Sequence, residues 1–264
     1  MQAFRQFGDL ITKHEEHLYI CKKVIKIMKN AMFLLFVSCT LLMAGCKKDP
    51  VEESKTGTFN DSRDQHLYKW VKIGTQTWMA ENLAYLPAVS YSSDGSETTP
   101  FYYVYDYEGT SVVAAKTKPD YATYGVLYNW VAASTACPMG WHLPSDAEWS
   151  ILTDYLTING FGYGGSGNDI SKSMGSAAGW TAFSLTGTIG NNQSTNNSSG
   201  FTAIPGGYRY YNKGFYDLGT YAEFWSSTQI GSTAWYRALY YNNDGATRKD
   251  FNRGYGFSVR CLKD

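Results

Sequence analysis

Apolar and polar residues alternate through Leu67 to Ile73 (LYKWVKI), and the run stops at Gly74, which predicts a half-buried strand closed by a turn. TWMAENLAY, directly after it, lacks that alternation and predicts a short helix or irregular turn that buries Trp78 and Leu83. Residues 91 to 120 hold aromatic islands among Ser, Asp, Gly and Thr, and they read as loop. The period changes at Ser145. Ser145 and Glu148 form a capping box, Asp146 and Glu148 suit a helix N-terminus, and Trp149, Leu152, Tyr155 and Leu156 recur at three- and four-residue spacing. Gly160 ends this helix. Residues 161 to 200 are rich in Gly, Ser and Asn and predict further loops. The remainder reads as short strands broken at Gly206-Gly207, Asp244-Gly245 and Gly254 to Gly256. WYRALYYNNDGATRKDF predicts a hairpin with Asp244-Gly245 in its turn, and GFSVRCLK alternates with Phe257, Val259 and Cys261 facing inward. No linker divides residues 66 to 264, which are read as one domain.

The N-terminal pattern is of another kind. MKNAMFLLFVSCTLLMAGC places a basic residue, Lys29, before an uncharged stretch that runs to Gly45 and ends in small residues, the form of a signal peptide over residues 28 to 45. The stretch is shorter than the roughly 20 residues a membrane-crossing helix needs. Leu42-Met43-Ala44-Gly45-Cys46 resembles a bacterial lipobox, which implies lipidation of Cys46 and a tethered protein. Residues 1 to 27 read as a mis-assigned start or an extended n-region, and the pair His14 and His17 within them supports no metal site. Residues 46 to 65 are polar, without apolar period, and read as the lipidated Cys and a flexible tether. Lys47, Lys48 and Asp49 resemble the signals that send Bacteroidetes lipoproteins to the cell surface.

Charge and composition narrow the function. The 23 basic and 23 acidic residues cancel, so no nucleic-acid partner is expected. Twenty-two Tyr, eight Trp and 26 Gly against 17% charged residues match secreted recognition domains, where aromatic side chains give rigid contact area. With residues 1 to 45, and Cys21 and Cys39 in them, removed as signal and Cys46 lipidated, Cys137 and Cys261 remain as an even pair in an oxidising compartment, and a bridge between them would staple the start of the helix to the last strand. CPMGWHLPSDAEW (137 to 149) gathers a thiol, an imidazole and two carboxylates, yet each has a structural use: Cys137 as half of the staple, Ser145 and Glu148 as the cap, Asp146 on the helix dipole, Trp141 and Trp149 as core. His142 alone is left over, and a packed, hydrogen-bonded His is the expected outcome. GYGGSG (162 to 167) has glycine spacing without the strand before it that a dinucleotide site requires.

Seven blocks in order, VKIGTQTWMAENLAY, YGVLYNWVAA, CPMGWHLPSDAEW, KSMGSAAGW, GFTAIPGGYR, FWSST and GFSVRCLKD, resemble the Fibrobacter succinogenes major paralogous domain. The resemblance covers residues 67 to 264 and implies an α+β fold that is C-type-lectin-like, of the formylglycine-generating-enzyme branch, with mainly antiparallel short strands, few helices and long loops. It also implies a disulfide joining the start of a helix to the last strand, matching Cys137 and Cys261. The chain lacks the copper-binding cysteine pair of the formylglycine-generating enzyme and the proline-containing calcium loop of sugar-binding lectins. No cofactor is therefore expected, although isolated Asp residues and backbone carbonyls could hold a structural calcium. The resulting expectation is a cell-envelope lipoprotein, lipid-anchored at the outer membrane and surface-exposed, whose lectin-like domain recognises a glycan or protein ligand and is not an enzyme. The alternatives are a divergent enzyme of the formylglycine-generating type and a purely structural envelope protein. Candidate ligand-binding residues are Tyr208, Arg209, Tyr211, Trp235, Tyr240, Tyr241, Asp244 and Arg248; Trp180 and Trp225 are expected in the core.

Overall fold

A computed structural model of the chain describes residues 54–264, apart from residues 166, 212 and 213, together with the single residue Lys23. The signal segment, Cys46 and the start of the tether lie outside the described residues. Residues Ser54–Asp264 form one compact unit.

That unit begins earlier than the pattern of the chain indicates. Thr56–Asn60 is strand β1, antiparallel to β2 (Leu67–Ile73) from Thr56 opposite Val71 to Asn60 opposite Leu67, so these residues are sheet and not tether. In TGTFN a single aromatic residue supplies the inward contact, and one position makes no period. Phe59 stacks on Trp141 at 4.4 Å and on Tyr68 at 5.4 Å. The β2 strand turns at Gly74, whose φ of +60° favours glycine and whose Cβ position would sit 2.7 Å from the Tyr155 ring. It then pairs with β3 (Gln76–Met79), so Trp78 is on a strand and not on the expected helix or irregular turn. Trp78 and Leu83 are fully buried, as expected.

The stretch read as loop contains more structure than its composition suggests. Strand β4 (Tyr102–Tyr103), helix α1 (Val112–Lys116) capped by Ser111, and helix α2 (Pro119–Tyr124) with Pro in its first turn all fall before residue 125. Each is shorter than two turns, too short for a 3.6-residue period to register. Strand β5 (Leu127–Tyr128) pairs with β4, and helix α3 (Trp130–Ala136), capped by the Asn129 side chain, delivers Cys137. After β6 (Trp141–His142) comes the best-signalled element, helix α4 (Asp146–Ile158). Both halves of its capping box form, Trp149, Leu152 and Leu156 are buried, and Gly160 follows at φ +80°. Trp141, by contrast, is half-buried rather than core. The Gly/Ser/Asn-rich stretch carries only helix α5 (Ser171–Met174) and a 3-10 turn at Gln193–Thr195.

The remaining strands are β7 (Gly206–Arg209), β8 (Phe215–Leu218), β9 (Tyr221–Ile230), β10 (Thr233–Tyr240), β11 (Thr247–Asn252) and β12 (Leu262–Lys263). Asp244-Gly245 lies in the turn between β10 and β11, as the hairpin pattern predicts. Two five-stranded sheets result, ordered β1-β2-β3-β12-β6 and β11-β10-β9-β7-β8, antiparallel throughout except for β7 beside β9. The fold is α+β with few helices, as expected.

The C-terminal segment departs from simple alternation. Phe257, Val259 and Cys261 are buried as predicted, but so are Ser258 and Arg260 on the other side. Arg260 donates to Asn82 Oδ1 at 2.9 Å, to the carbonyls of Met79, Phe201 and Thr202 at 3.2, 2.5 and 2.5 Å, and lies over the Phe201 ring. Burial pulls its pKa down to about 9. Next to it, Cys261 forms the disulfide with Cys137, Cα to Cα 5.8 Å, across a separation of 124 residues. Closing so long a loop restricts the unfolded chain by up to about 4 to 5 kcal/mol. Cys137→Ser should therefore lower the urea midpoint of the protein by a corresponding amount; an unchanged midpoint would show that the bridge contributes nothing.

Candidate functional site

The second sheet presents two unlike faces. Across β9 and β10, Tyr221 stands opposite Tyr240, Glu223 opposite Ala238 and Trp225 opposite Tyr236, so these six residues share one face. Phe224 and Leu239 belong to the other face and pack with Trp149 and Leu152 of α4. On the first face Ala238 is the small residue between Tyr236 and Tyr240, and a hollow opens beside Glu223. The hollow is a cleft of about 400 Å³. Tyr208 of β7 and Tyr210 wall one side, Lys249 and Phe251 of β11 the other, and Tyr255 and Phe257 complete it. The rings brace each other: Tyr221 meets Tyr240 at 4.5 Å, Phe251 meets Tyr255 at 4.3 Å, and Tyr236 meets Phe257 at 4.9 Å.

Glu223 is the unusual group. It is 5% exposed, its carboxyl receives no hydrogen bond from any described residue, and it opens into the cleft. Burial, reinforced by Asp217 and opposed by Lys249, pushes its pKa up to about 8. A carboxyl in this state is neutral at pH 7 and becomes charged if a cation approaches. Lys249 is exposed at the mouth with its ammonium 6.0 Å from the Tyr240 ring centre. Burial also raises the Tyr240 hydroxyl to about 12 and holds Tyr208, Tyr236 and Tyr255 well above the usual tyrosine value.

Of the eight residues singled out in the sequence, only Tyr208 and Tyr240 line this cleft. Arg209 is fully buried and not available to a ligand: it donates to the carbonyls of Ser92, Asp94, Tyr211 and Gly254. Tyr211 is exposed and stacks on Tyr255 just beyond the lining. Trp235 and Arg248 sit on the helix side of the sheet, with the guanidinium 3.5 Å from the indole ring centre and bidentate on Asp146 at 2.9 and 2.7 Å. Arg237 reaches the same carboxylate at 2.6 Å. Asp146 thus binds two arginines besides favouring the helix dipole. Tyr241 packs edge-on against Phe183, and Asp244 is exposed in the hairpin turn. The residues missed are Glu223, Tyr221, Lys249, Phe251 and Tyr255. The available signal was Glu223 itself, a lone carboxylate inside the apolar run YAEFW and on the same face as its aromatic neighbours.

A family model described as the Fibrobacter succinogenes major domain matches residues 71–263. The chain belongs to this family. No curated protein and no solved structure matches it.

In this Fibrobacter succinogenes major domain the thiol, imidazole and carboxylates of CPMGWHLPSDAEW (137 to 149) resolve into structure. Cys137 is in the disulfide. His142 Nδ1 lies 2.7 Å from Asp264 and Nε2 lies 3.0 Å from Glu148. The Ser145 hydroxyl donates to the other Glu148 oxygen at 2.8 Å, not to the imidazole, so His142 does not activate Ser145. No cluster of three or more His, Cys, Asp or Glu placed to hold a metal occurs among the described residues. Burial lowers the His142 pKa, but the hydrogen bonds to Asp264 and Glu148 outweigh it and the net shift is upward. A raised histidine pKa stabilises the fold below the unfolded value of 6.5, and the gain is lost as pH rises through the folded value. The melting temperature of the protein should exceed that of His142→Gln by more at about pH 5.5 than at about pH 9. An equal difference at both would mean that His142 is not held as an imidazolium.

Proposed function

We propose that this protein is a ligand-recognition domain whose binding site is the tyrosine-walled cleft that Glu223 lines, carried at the cell envelope by lipid on Cys46. The single observation that carries the reading is Glu223: a carboxyl 5% exposed, left without a hydrogen-bond partner among the described residues, inside an aromatic cleft. Its oxygens border the cleft, so a ligand seated there can supply the hydrogen-bond or charge partner that the described residues do not. The cleft's volume falls within the range of small-ligand sites, and its mostly aromatic lining with one convergent polar group matches their chemistry.

Recognition accounts for the cleft better than catalysis does. Its lining carries one carboxyl, one amine, tyrosines and phenylalanines, with the lysine exposed at the mouth rather than in contact with a nucleophile. The scaffold of short antiparallel strands and long loops fits a C-type-lectin-like domain in this reading, with the glycan or protein ligand presenting a small group to the cleft. The lipobox-like ending at Cys46 supports a domain carried outside the cytoplasm, at the outer membrane.

Glycan and peptide arrays probed with the protein test the reading. Binding should fall at least about tenfold in Glu223→Gln and in Tyr240→Ala and stay unchanged in Arg248→Ala. A ligand whose binding depends on Arg248 and Asp244 and ignores Glu223 would move the site to the other face of the sheet. Labelled fatty acid should enter the protein in cells and be lost in Cys46→Ala; retained label would refute the anchor.

A further inference from the structure

The geometry points to an organic ammonium group as what the cleft binds, with aromatic faces around the cation and the Glu223 carboxylate against it. This rests on the cleft being the recognition site and says what kind of ligand it takes.

The lining decides between a cation and a neutral polyol. A sugar needs several convergent donors and acceptors for its hydroxyls, usually amides, arginines or carboxylates. The lining offers no Asn, Gln, Ser, Thr, Asp or Arg side chain. Besides Glu223 and Lys249 its polar atoms are phenol hydroxyls that lie close to one another or to Asp217, Tyr236 near Tyr240, Tyr255 near Tyr210 and Tyr208 near Asp217, rather than spread out to match a ring of sugar hydroxyls. A buried polyol would leave its own hydroxyls unpaired, whereas an ammonium finds ring faces on several sides. Within that ring, Glu223 is the one carboxyl, and as a lining residue it can be reached by a ligand atom in the cleft.

The protein supplies a cation of its own at the mouth. The Lys249 ammonium leans toward the Tyr240 ring at 6.0 Å, the outer limit of cation–π attraction, and is too exposed to fill the cleft. A ligand ammonium would bind deeper and displace it. Lys249 therefore competes with the ligand rather than assisting it, and its removal should strengthen binding.

Proton linkage adds a signature. The groups facing Glu223 are Asp217, Lys249, Tyr208, Tyr221, Tyr236 and Tyr240. In the empty cleft the carboxyl holds its proton up to about pH 8, so a bound cation expels that proton. Affinity should rise as pH increases toward that value and level off above it.

Calorimetry on the protein with choline, and with its uncharged isostere carrying tert-butyl in place of trimethylammonium, tests the proposal. Choline should bind at least about tenfold tighter than the isostere, more tightly at about pH 8 than at about pH 6. The preference should shrink several-fold in Glu223→Gln, which keeps the aromatic faces, while Lys249→Met, a change at an exposed position, should raise choline affinity. Equal affinity for choline and isostere, or weaker choline binding in Lys249→Met, would overturn the ammonium assignment. If an array then yields a neutral ligand that depends on Glu223, the recognition site stands and only its ligand class is rejected. If array binding also ignores Glu223, the site itself fails. Near-ultraviolet circular dichroism identifies any variant that has lost its packing.

Discussion

The last nine residues hold this fold together, and Arg260 is their central contact. The guanidinium, wholly buried, joins the carbonyls of Met79, Phe201 and Thr202 to the side chain of Asn82, so it ties the end of β3 to the loop before β7. Around it the backbone does the same: Met79 and Leu83 donate to Cys261 and Val259, and Trp225 donates to Ser258. Leu262 completes the first sheet between β3 and β6, while Phe257 bridges to Tyr128. A buried arginine carries a large desolvation cost, and removing its acceptors one at a time would leave an uncompensated charge. The segment therefore has a single register, and the disulfide at Cys261 fixes that register from the neighbouring position.

The cleft is a consequence of that arrangement. Tyr255 and Phe257 enter its wall because the chain just before Arg260 bridges β7 and β9 of the second sheet, where Gly256 and Arg209 exchange backbone hydrogen bonds and Ser258 pairs with Phe224. Arg209, buried beneath, takes the carbonyl of Gly254 and so holds the loop that carries Tyr255. The opposite face of the sheet is filled by α4, whose Asp146 is clamped by Arg237 and Arg248. One face therefore anchors the sheet, and the other keeps a hollow that nothing in the described chain fills.

Legibility followed the length of each period. The α4 helix, with a capping box and three buried positions over thirteen residues, could be read directly, as could β2, the β10–β11 hairpin and the pairing of Cys137 with Cys261. Strands and helices of two to six residues could not, because β1 shows one aromatic position and α1 and α2 less than two turns each. The candidate residues were chosen by type, aromatic or polar near the C-terminus, and strand parity then divided them between two faces. Tyr208 and Tyr240 fell on the cleft side, Trp235 and Arg248 on the helix side. Arg209 looked like a surface cation because nothing in a single sequence distinguishes a charge that meets solvent from one that meets four carbonyls. Glu223 was missed for the same reason in reverse: its significance lies in Ala238 across the strand and in the absence of any partner, neither of which is local in sequence.

All of the functional reading depends on one carboxyl being buried, unpaired and open only to the cleft. The most direct measurement is the carboxyl carbon shift of Glu223, followed by nuclear magnetic resonance against pH in the ligand-free protein. The structure predicts a midpoint near the value of about 8 that burial imposes. A midpoint near the ordinary 4.5 would mean that water or a protein partner already satisfies the group, and the cleft would lose its claim to be a binding site.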